Sequence, residues 1–489
     1  MKRTKIVATI GPASEKQATL EKMMRAGMNV CRLNMSHGDY AWHGKAIRTI
    51  RAAAKKVGEP VAVLLDLQGP KVRLGEVHSS QFTVHSGDRV VFTTGVVTGN
   101  KILIAVPHFE KYAKKGSHLL IADGTIECIV EDVRGRDIHA RVTLGGELKS
   151  HKGIAIAGVS LPLPSLTAKD KKDAAWGRTQ DIDFVALSFV KQAADVVALR
   201  KLLTPSAPTP PNLPSGRGGK IVSPPLGGGV RGGALKIIVK IETREAVNNF
   251  DEILKVVDAV MIARGDLALA TSPEEVPIIQ KELIEKCRGA GKPVIVATEM
   301  LASMEHSPRP TRAEASDVAN AVVDHTDATM LSGETASGQF PVETVATMAH
   351  IIEKTEESRF DDVAIGADMM HGTSEEETAL AASVLARNSG AKAIVAGSLT
   401  GRTGRLLSRY RTEVLLIVGS PDLRVVHQLN LSWGVRPFLA PQVKTMDALL
   451  KLLLQHAQKF GLKKGSKIVV VGSETITPHG QSFIEIKTI

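Results

Sequence analysis

A strand-then-helix rhythm that recurs eight times is the feature that most constrains this chain. Apolar, β-branched runs stand at 5–11 (KIVATIG), 28–34 (MNVCRLN), 61–67 (VAVLLDL), 183–189 (DFVALSF), 237–242 (IIVKIE), 259–265 (AVMIARG), 293–298 (PVIVAT) and 328–333 (ATMLSG). Segments with helical spacing separate most of them, among them 15–26, 41–57, 275–290 and 312–322. Strands that read as unbroken apolar runs are covered on both faces, as in parallel sheets. Eight such units in series predict an α/β fold built on a (β/α)8 TIM barrel, although an open doubly wound sheet gives similar runs.

Two long segments interrupt the rhythm. Between 72 and 165 short alternating runs are punctuated by Gly and Asp turns, which predicts a small β-barrel domain inserted after the third strand. Between 205 and 235 there are 7 Pro and 8 Gly in 31 residues, an irregular insertion within the barrel. The barrel then comprises 1–71 and 166–345. The pattern restarts near 355, and 355–489 reads as a separate C-terminal α/β domain.

Composition narrows the function classes. A net charge of +11 raises nucleic acid as a partner, but aromatic residues make up only 3% and no block of five or six basic residues occurs. Small polyanions such as phosphates suit that charge better. No run approaches the roughly 18 apolar residues that a membrane span needs. Cys31, Cys128 and Cys287 lack metal spacing, and the N-terminal stretch turns polar too early for a signal peptide, so a reducing cytoplasm is expected.

In such a barrel, residues at strand C-termini face the site. Those ends carry Arg32, Asn34, Asp66, Lys240, Glu242, Gly265, Asp266 and Thr298. Lys240 and Glu242, two apart, project to one face. They can satisfy each other as a buried ion pair. Alternatively, Glu242 and Asp266 hold Mg2+ through oxygen ligands, leaving positions for water and substrate, while Lys240 meets an anionic phosphoryl group. Gly227, Gly229 and Gly232 formally match G-x-G-x-x-G, but the motif follows Pro-Pro and leads into a strand, the wrong context for a dinucleotide site. The run 398–403, containing Ser398, Thr400, Gly401, Arg402 and Thr403, follows a strand and opens a helix. It reads either as a phosphate cradle or as plain capping by Thr400.

The motifs TKIVATIGPAS (4–14), GMNVCRLNMSHG (27–38), LLDLQGPKVRLG (64–75), IIVKIETREAV (237–247), VMIARGDL (260–267), PVIVATEML (293–301) and DATMLSGETASGQFPVE (327–343) closely resemble the pyruvate kinase family. The resemblance implies transfer of the phosphoryl group of phosphoenolpyruvate to ADP, giving ATP and an enolate that becomes pyruvate, the last step of glycolysis. It implies that Lys240 stabilises the phosphoryl group and that Glu242 and Asp266 ligate Mg2+ (or Mn2+). Arg32 would bind the substrate phosphate, the backbone at Ala263, Arg264 and Gly265 the carboxylate, and Thr298 would lie beside the methylene carbon. Asn34, His37, Arg73 and Lys169 would approach the nucleotide, under a lid formed by the β-insert. Family members that need K+ hold it with Asn, Ser and Asp at the positions of Asn34, Ser36 and Asp66. They carry Glu where this chain has Lys71, so activity without K+ is expected.

The resemblance further implies a homotetramer and a phosphorylated effector on the 398–403 loop, with sugar bisphosphate, sugar monophosphate and AMP all left open. Glu299 replaces a usual Gln, Leu267-Ala268-Leu269-Ala270 replaces the usual sequence near a subunit contact, and 205–235 is absent from the usual pattern. Two competing functions are another barrel enzyme acting on phosphoenolpyruvate or pyruvate, and a phosphate- or RNA-binding protein that has lost activity. The first needs a strand-end His that is lacking, and intact Lys240, Glu242, Asp266 and Thr298 oppose the second.

Overall fold

The computed structural model describes residues 2–77, 82–122, 124–204, 233–362, 372–441, 446–472 and 483–489. The Pro/Gly-rich segment expected at 205–235 lies outside them as far as 232, and with it Gly227, Gly229 and Gly232.

All eight apolar runs are strands of one closed parallel barrel: β1 (Lys5–Thr9), β2 (Val30–Asn34), β3 (Ala62–Asp66), β4 (Phe184–Leu187), β5 (Lys236–Ile241), β6 (Ala259–Ala263), β7 (Val294–Ala297) and β8 (Ala328–Leu331). Each pairs with its neighbours in chain order, and β1 closes on β8 with Lys5 opposite Ala328. Local chemistry sets the helices between them. Asp39 caps the helix Tyr40–Val57 by accepting from the Trp42 N–H at 2.8 Å, and Gly58 ends it at φ +82°, where a side chain would be strained.

Parity along each strand separates two cores. Ile6, Ala8, Cys31, Leu33, Val63 and Leu65 face outward and pack under the helices. Val7, Val30, Leu64, Ala186, Ile238 and Met261 face inward and fill the cylinder. Leu431, from the C-terminal domain, joins this inner cluster and is fully buried. The C-terminal domain therefore plugs the floor of the barrel.

The insert is a six-stranded sheet with a two-stranded ribbon beside it and its own apolar core around Phe92 and Phe109. Its edge strands, Ile102–Leu103 and Ile154–Ile156, are both tied to the entering segment, through bridges Leu74–Ile104 and Arg73–Gly153. The sheet curls into a nearly closed barrel by this route. The C-terminal domain is a five-stranded sheet, parallel except for the final strand Phe483–Thr488. Strands Val435–Leu439 and Phe483–Thr488 and the helix Leu423–Leu429 lie outside the sequence expectation. Charge or proline interrupts each strand, which hides its apolar character. The last barrel helix, Pro341–Glu356, runs past the expected boundary at 345.

Candidate active site

The inner parity that fills the barrel with apolar side chains turns polar at its upper rim. Two residues beyond Val7, Leu64, Ala186 and Ile238 come Thr9, Asp66, Ser188 and Lys240, and two beyond Lys240 comes Glu242. The same register carries Arg32 and Asn34 above Val30. Alternation thus delivers one polar layer from neighbouring strands to one end of the cylinder.

This layer is tightly paired. Arg32 Nε donates to Asp66 Oδ2 at 2.7 Å and its Nη1 to Thr9 Oγ1 at 2.8 Å. Lys240 Nζ lies 2.7 Å from Glu242 Oε1, 3.8 Å from Asp66 Oδ1 and 3.1 Å from Ser188 Oγ. Burial works to lower the Lys240 pKa, but Asp66 and Glu242 outweigh it and hold the ammonium above its ordinary pKa. The lysine is a largely enclosed cation. Burial pushes the Glu242 carboxyl upward, Lys240 partly opposes this, and Asp266 adds repulsion.

Asp266 opens the helix Arg264–Ala270 directly after β6, and Lys71 Nζ meets its Oδ1 at 3.2 Å. Lys71 thus pairs with the Asp266 carboxylate, while Asp66 is engaged by Arg32 and Lys240. Thr298 Oγ1 accepts from the Gly265 N–H at 2.8 Å, tying the ends of β6 and β7 together. Thr298 and Glu299 take φ of +73° and +56°, a strained pair that depends on such ties. The Arg264 side chain is spent on a two-pronged pair with Asp317 at 2.7 and 2.6 Å and on the Thr298 carbonyl at 2.8 Å.

The remaining candidates surround this layer. Asn34 Oδ1 accepts from the Ser36 N–H at 3.1 Å, shaping the turn that carries His37. Burial, then Arg73 and Arg32, lowers the His37 pKa and favours neutral imidazole. Arg73 donates to the His151 carbonyl at 2.9 Å, at the hinge of the insert. Lys169 is held by Asp173 at 2.5 Å and by the Met35 carbonyl at 2.7 Å, so it braces the same turn. Far away, Arg402 pairs with Glu375 at 2.6 Å, and the Arg402 N–H reaches Thr400 Oγ1 only at 3.4 Å. Gly401, at φ +78°, occupies the cap position there, and Ser398 and Thr403 are buried.

A cavity of about 320 Å3 between insert and barrel is lined by Lys71, Glu242, Arg244 and Asp266 with Ile154 and Ile156 of the insert. Among the described residues no cluster of three or more His, Cys, Asp or Glu could enclose a metal. Two carboxylates on one cavity, with Glu242 Oε1 buried and lacking a well-directed hydrogen bond, do fit a hard divalent cation that completes its shell with other oxygens. Thr9 and Ser188 are the members that sequence reasoning missed, although strand parity could have found both. All three cysteines are buried, and burial pushes the Cys31 and Cys128 thiols up to about 12, as core residues require. No helix among the described residues is long and apolar enough to cross a membrane.

Two family models and several curated relatives match the chain. The family model described as "Pyruvate kinase, barrel domain" matches residues 1–209 and 228–345, passing over part of the Pro/Gly-rich segment. "Pyruvate kinase, alpha/beta domain" matches 376–486. The chain is 41% identical over 481 residues to a pyruvate kinase of Geobacillus stearothermophilus, covering 96% of this chain and 77% of the relative. A pyruvate kinase of Clostridium acetobutylicum is 37% identical over 476 residues, covering 96% of each chain. One from Clostridium perfringens is 38% identical over the whole of both.

Proposed function

The chain belongs to the pyruvate kinase family, and from that premise we propose that it transfers the phosphoryl group of phosphoenolpyruvate to ADP, yielding pyruvate and ATP. The observation that carries this reading is Lys240, a buried ammonium between Asp66 and Glu242 at the barrel rim. Phosphoryl transfer spreads charge over three oxygens, so catalysis consists mainly of positioning and positive charge. Lys240 supplies charge at the group in flight, and Arg32, held by Asp66 and Thr9, receives the substrate phosphate. The backbone at Ala263, Arg264 and Gly265 orients the substrate carboxylate. Thr298, fixed by the Gly265 N–H, stands beside the methylene carbon. Its hydroxyl is too weak an acid to protonate the enolate alone, so a water relay completes that step.

Glu242 and Asp266 are the residues that would hold Mg2+ (or Mn2+), which when bound supplies neutralising charge at the phosphoryl and enolate oxygens. Asn34, His37, Arg73 and Lys169 serve the nucleotide side. The insert closes as a lid and excludes water, so that transfer outruns hydrolysis. Lys71 and the Arg32–Asp66–Lys240 pairing supply fixed cations where K+-dependent members seat the monovalent ion at Asn34, Ser36 and Asp66. Turnover therefore proceeds without K+. The loop containing Ser398, Thr400, Gly401, Arg402 and Thr403 receives a phosphorylated effector, and the working form is a cytoplasmic homotetramer.

The test is a coupled assay for pyruvate with and without ADP, in buffer free of potassium and sodium. Pyruvate formation that requires ADP, and rises less than about tenfold on adding K+, is the expected result, since tenfold corresponds to one well-placed charge contact. Pyruvate released without ADP contradicts the transfer reaction, and a larger potassium effect contradicts the role given to Lys71.

A further inference from the structure

Behind the C-terminal domain's helix Arg402–Ser408, where it meets the end of the barrel helix Val276–Gly289, lies a small cavity that phosphoryl transfer does not use. Five cations line it, Arg288, Lys292, Arg405, Arg409 and Arg411, and Asp327 is the one carboxylate among the lining residues.

The polar groups around it are already largely committed. Asp327 accepts from Arg411 Nη2 at 3.0 Å, from the Trp433 N–H at 2.9 Å and from the Val294 N–H at 3.1 Å. Arg409 spends its terminal nitrogens on the Gly289 carbonyl at 3.3 Å and the Tyr410 hydroxyl at 2.6 Å. Lys292 donates to the Val257 carbonyl at 2.8 Å, and Arg405 Nη1 to the Thr400 carbonyl at 3.4 Å. Four donors are left over. Arg288 Nη1, Arg409 Nε, Arg411 Nε and Ser432 Oγ are buried with no hydrogen-bond partner. Three of the side chains are almost wholly enclosed: Arg409 is 2% exposed, Arg411 3% and Ser432 1%.

Orphaned donors in a dry site cost the full desolvation of each group, and unpaired cations cost more. Glu285, Asp258 and Glu375 are close enough to be felt by Arg288, Lys292 and Arg405, but none lines the cavity. Burial, followed by the neighbouring Arg411, lowers the Arg288 pKa, and burial likewise lowers those of Lys292 and Arg405. A water molecule would satisfy hydrogen bonds here but not the charge. The missing partner is therefore a hydrogen-bond acceptor that carries negative charge. Space for its centre is about 10 Å3, the room of one water-sized group, which excludes a nucleotide or sugar lodged within.

We propose that this cavity seats one monatomic inorganic anion, a halide, that ties the barrel to the C-terminal domain. The anion contacts donors from both domains at once, Arg288 on the barrel side and Arg409, Arg411 and Ser432 on the other. Arg405 connects the seat to the loop at Thr400, so occupancy stiffens the support on which that loop rests.

Bromide is the probe and inorganic phosphate the oversized control, each titrated into the full-length protein in a gluconate buffer while thermal unfolding is followed. Crystals grown in each salt locate the ion, bromide by its anomalous signal. The expected result is a saturable rise in unfolding temperature with bromide and a bromide ion in this cavity. The half-saturation concentration should weaken by at least about tenfold in Arg288→Met, as loss of one charge-assisted contact implies. Ser432→Ala, which keeps every charge, provides a second variant with a smaller shift in the same direction should Arg288→Met fold poorly. Bromide in the cavity with no phosphate there supports the proposal. Absence of bromide from the cavity, phosphate seated there, or titrations that run parallel in wild type and variants, overturns it.

Discussion

Two buried lysines in this protein face the same desolvation and resolve it oppositely. At Lys240 the carboxylates of Asp66 and Glu242 win, and the ammonium is retained. At Lys2, on the far side of the barrel, burial wins with help from Arg436, against Glu356 and Glu353, and the pKa falls to about 7. A lysine whose pKa is lowered on folding binds fewer protons folded than unfolded between that value and its ordinary 10.5. Stability must then rise with pH across that window, by up to about 1.4 kcal/mol per pH unit for one proton. The penalty is fully present below pH 7. Lys2→Met should remove this slope and leave the protein more stable than wild type at pH 6, as read by urea unfolding across pH 6–10. Asn29 Oδ1 would keep its bond from the Ile6 N–H at 3.0 Å, so the substitution orphans little. At this scale the sequence was legible wherever one strand carried both partners, as with Lys240 and Glu242. It was opaque where the partner arrives from elsewhere: Lys71 finds Asp266 only because the chain turns into the insert beside β6.

Single strands explain why the site lies where it does. Each of β2 to β4 is apolar on its inner face until its last residues and polar thereafter, and β1 and β5 follow the same course above Lys5 and Lys236, so chain alternation alone raises a polar rim above a packed core. The eight strands could be read because burial on both faces leaves unbroken apolar runs. Val435–Leu439 and Phe483–Thr488 could not, because arginine and proline in the one, and exposed charge in the other, break the pattern at a sheet edge. The Pro/Gly-rich segment joins the helix Ala193–Leu203 to the start of β5, the end of the barrel opposite Lys240 and Glu242. Replacing 205–232 by a short glycine-serine linker should leave kcat and KM within about threefold, because flexible loops change closure entropy only slowly with length. Steady-state kinetics of the linker variant check this, and a larger loss would assign the segment a part in folding or assembly.

In the whole molecule, the barrel's two ends have separate duties. One end carries the polar rim and the β-insert; the other is stoppered by the C-terminal domain. Leu431 enters the inner core there, Asp183 holds Arg51 at 2.6 Å and His427 at 3.1 Å, and Arg411 grips Asp327 at 3.0 Å. Leu431→Ala should cost about 2–5 kcal/mol, the range for emptying a buried leucine site. Because the cavity spans two domains, calorimetry should show unfolding split into two transitions rather than one merely shifted. The division of labour also sets the central claim, that Lys240, Glu242 and Asp266 act as one centre with distinct roles. Mn2+ binding by electron paramagnetic resonance, paired with phosphoryl transfer on the same samples, tests it most directly. Wild type should bind one Mn2+ per chain at this site. Glu242→Gln should weaken that binding by at least about tenfold, whereas Lys240→Met should keep it yet lose about 1,000-fold or more in kcat. Unchanged Mn2+ affinity in Glu242→Gln, or transfer that survives in Lys240→Met, would contradict the account.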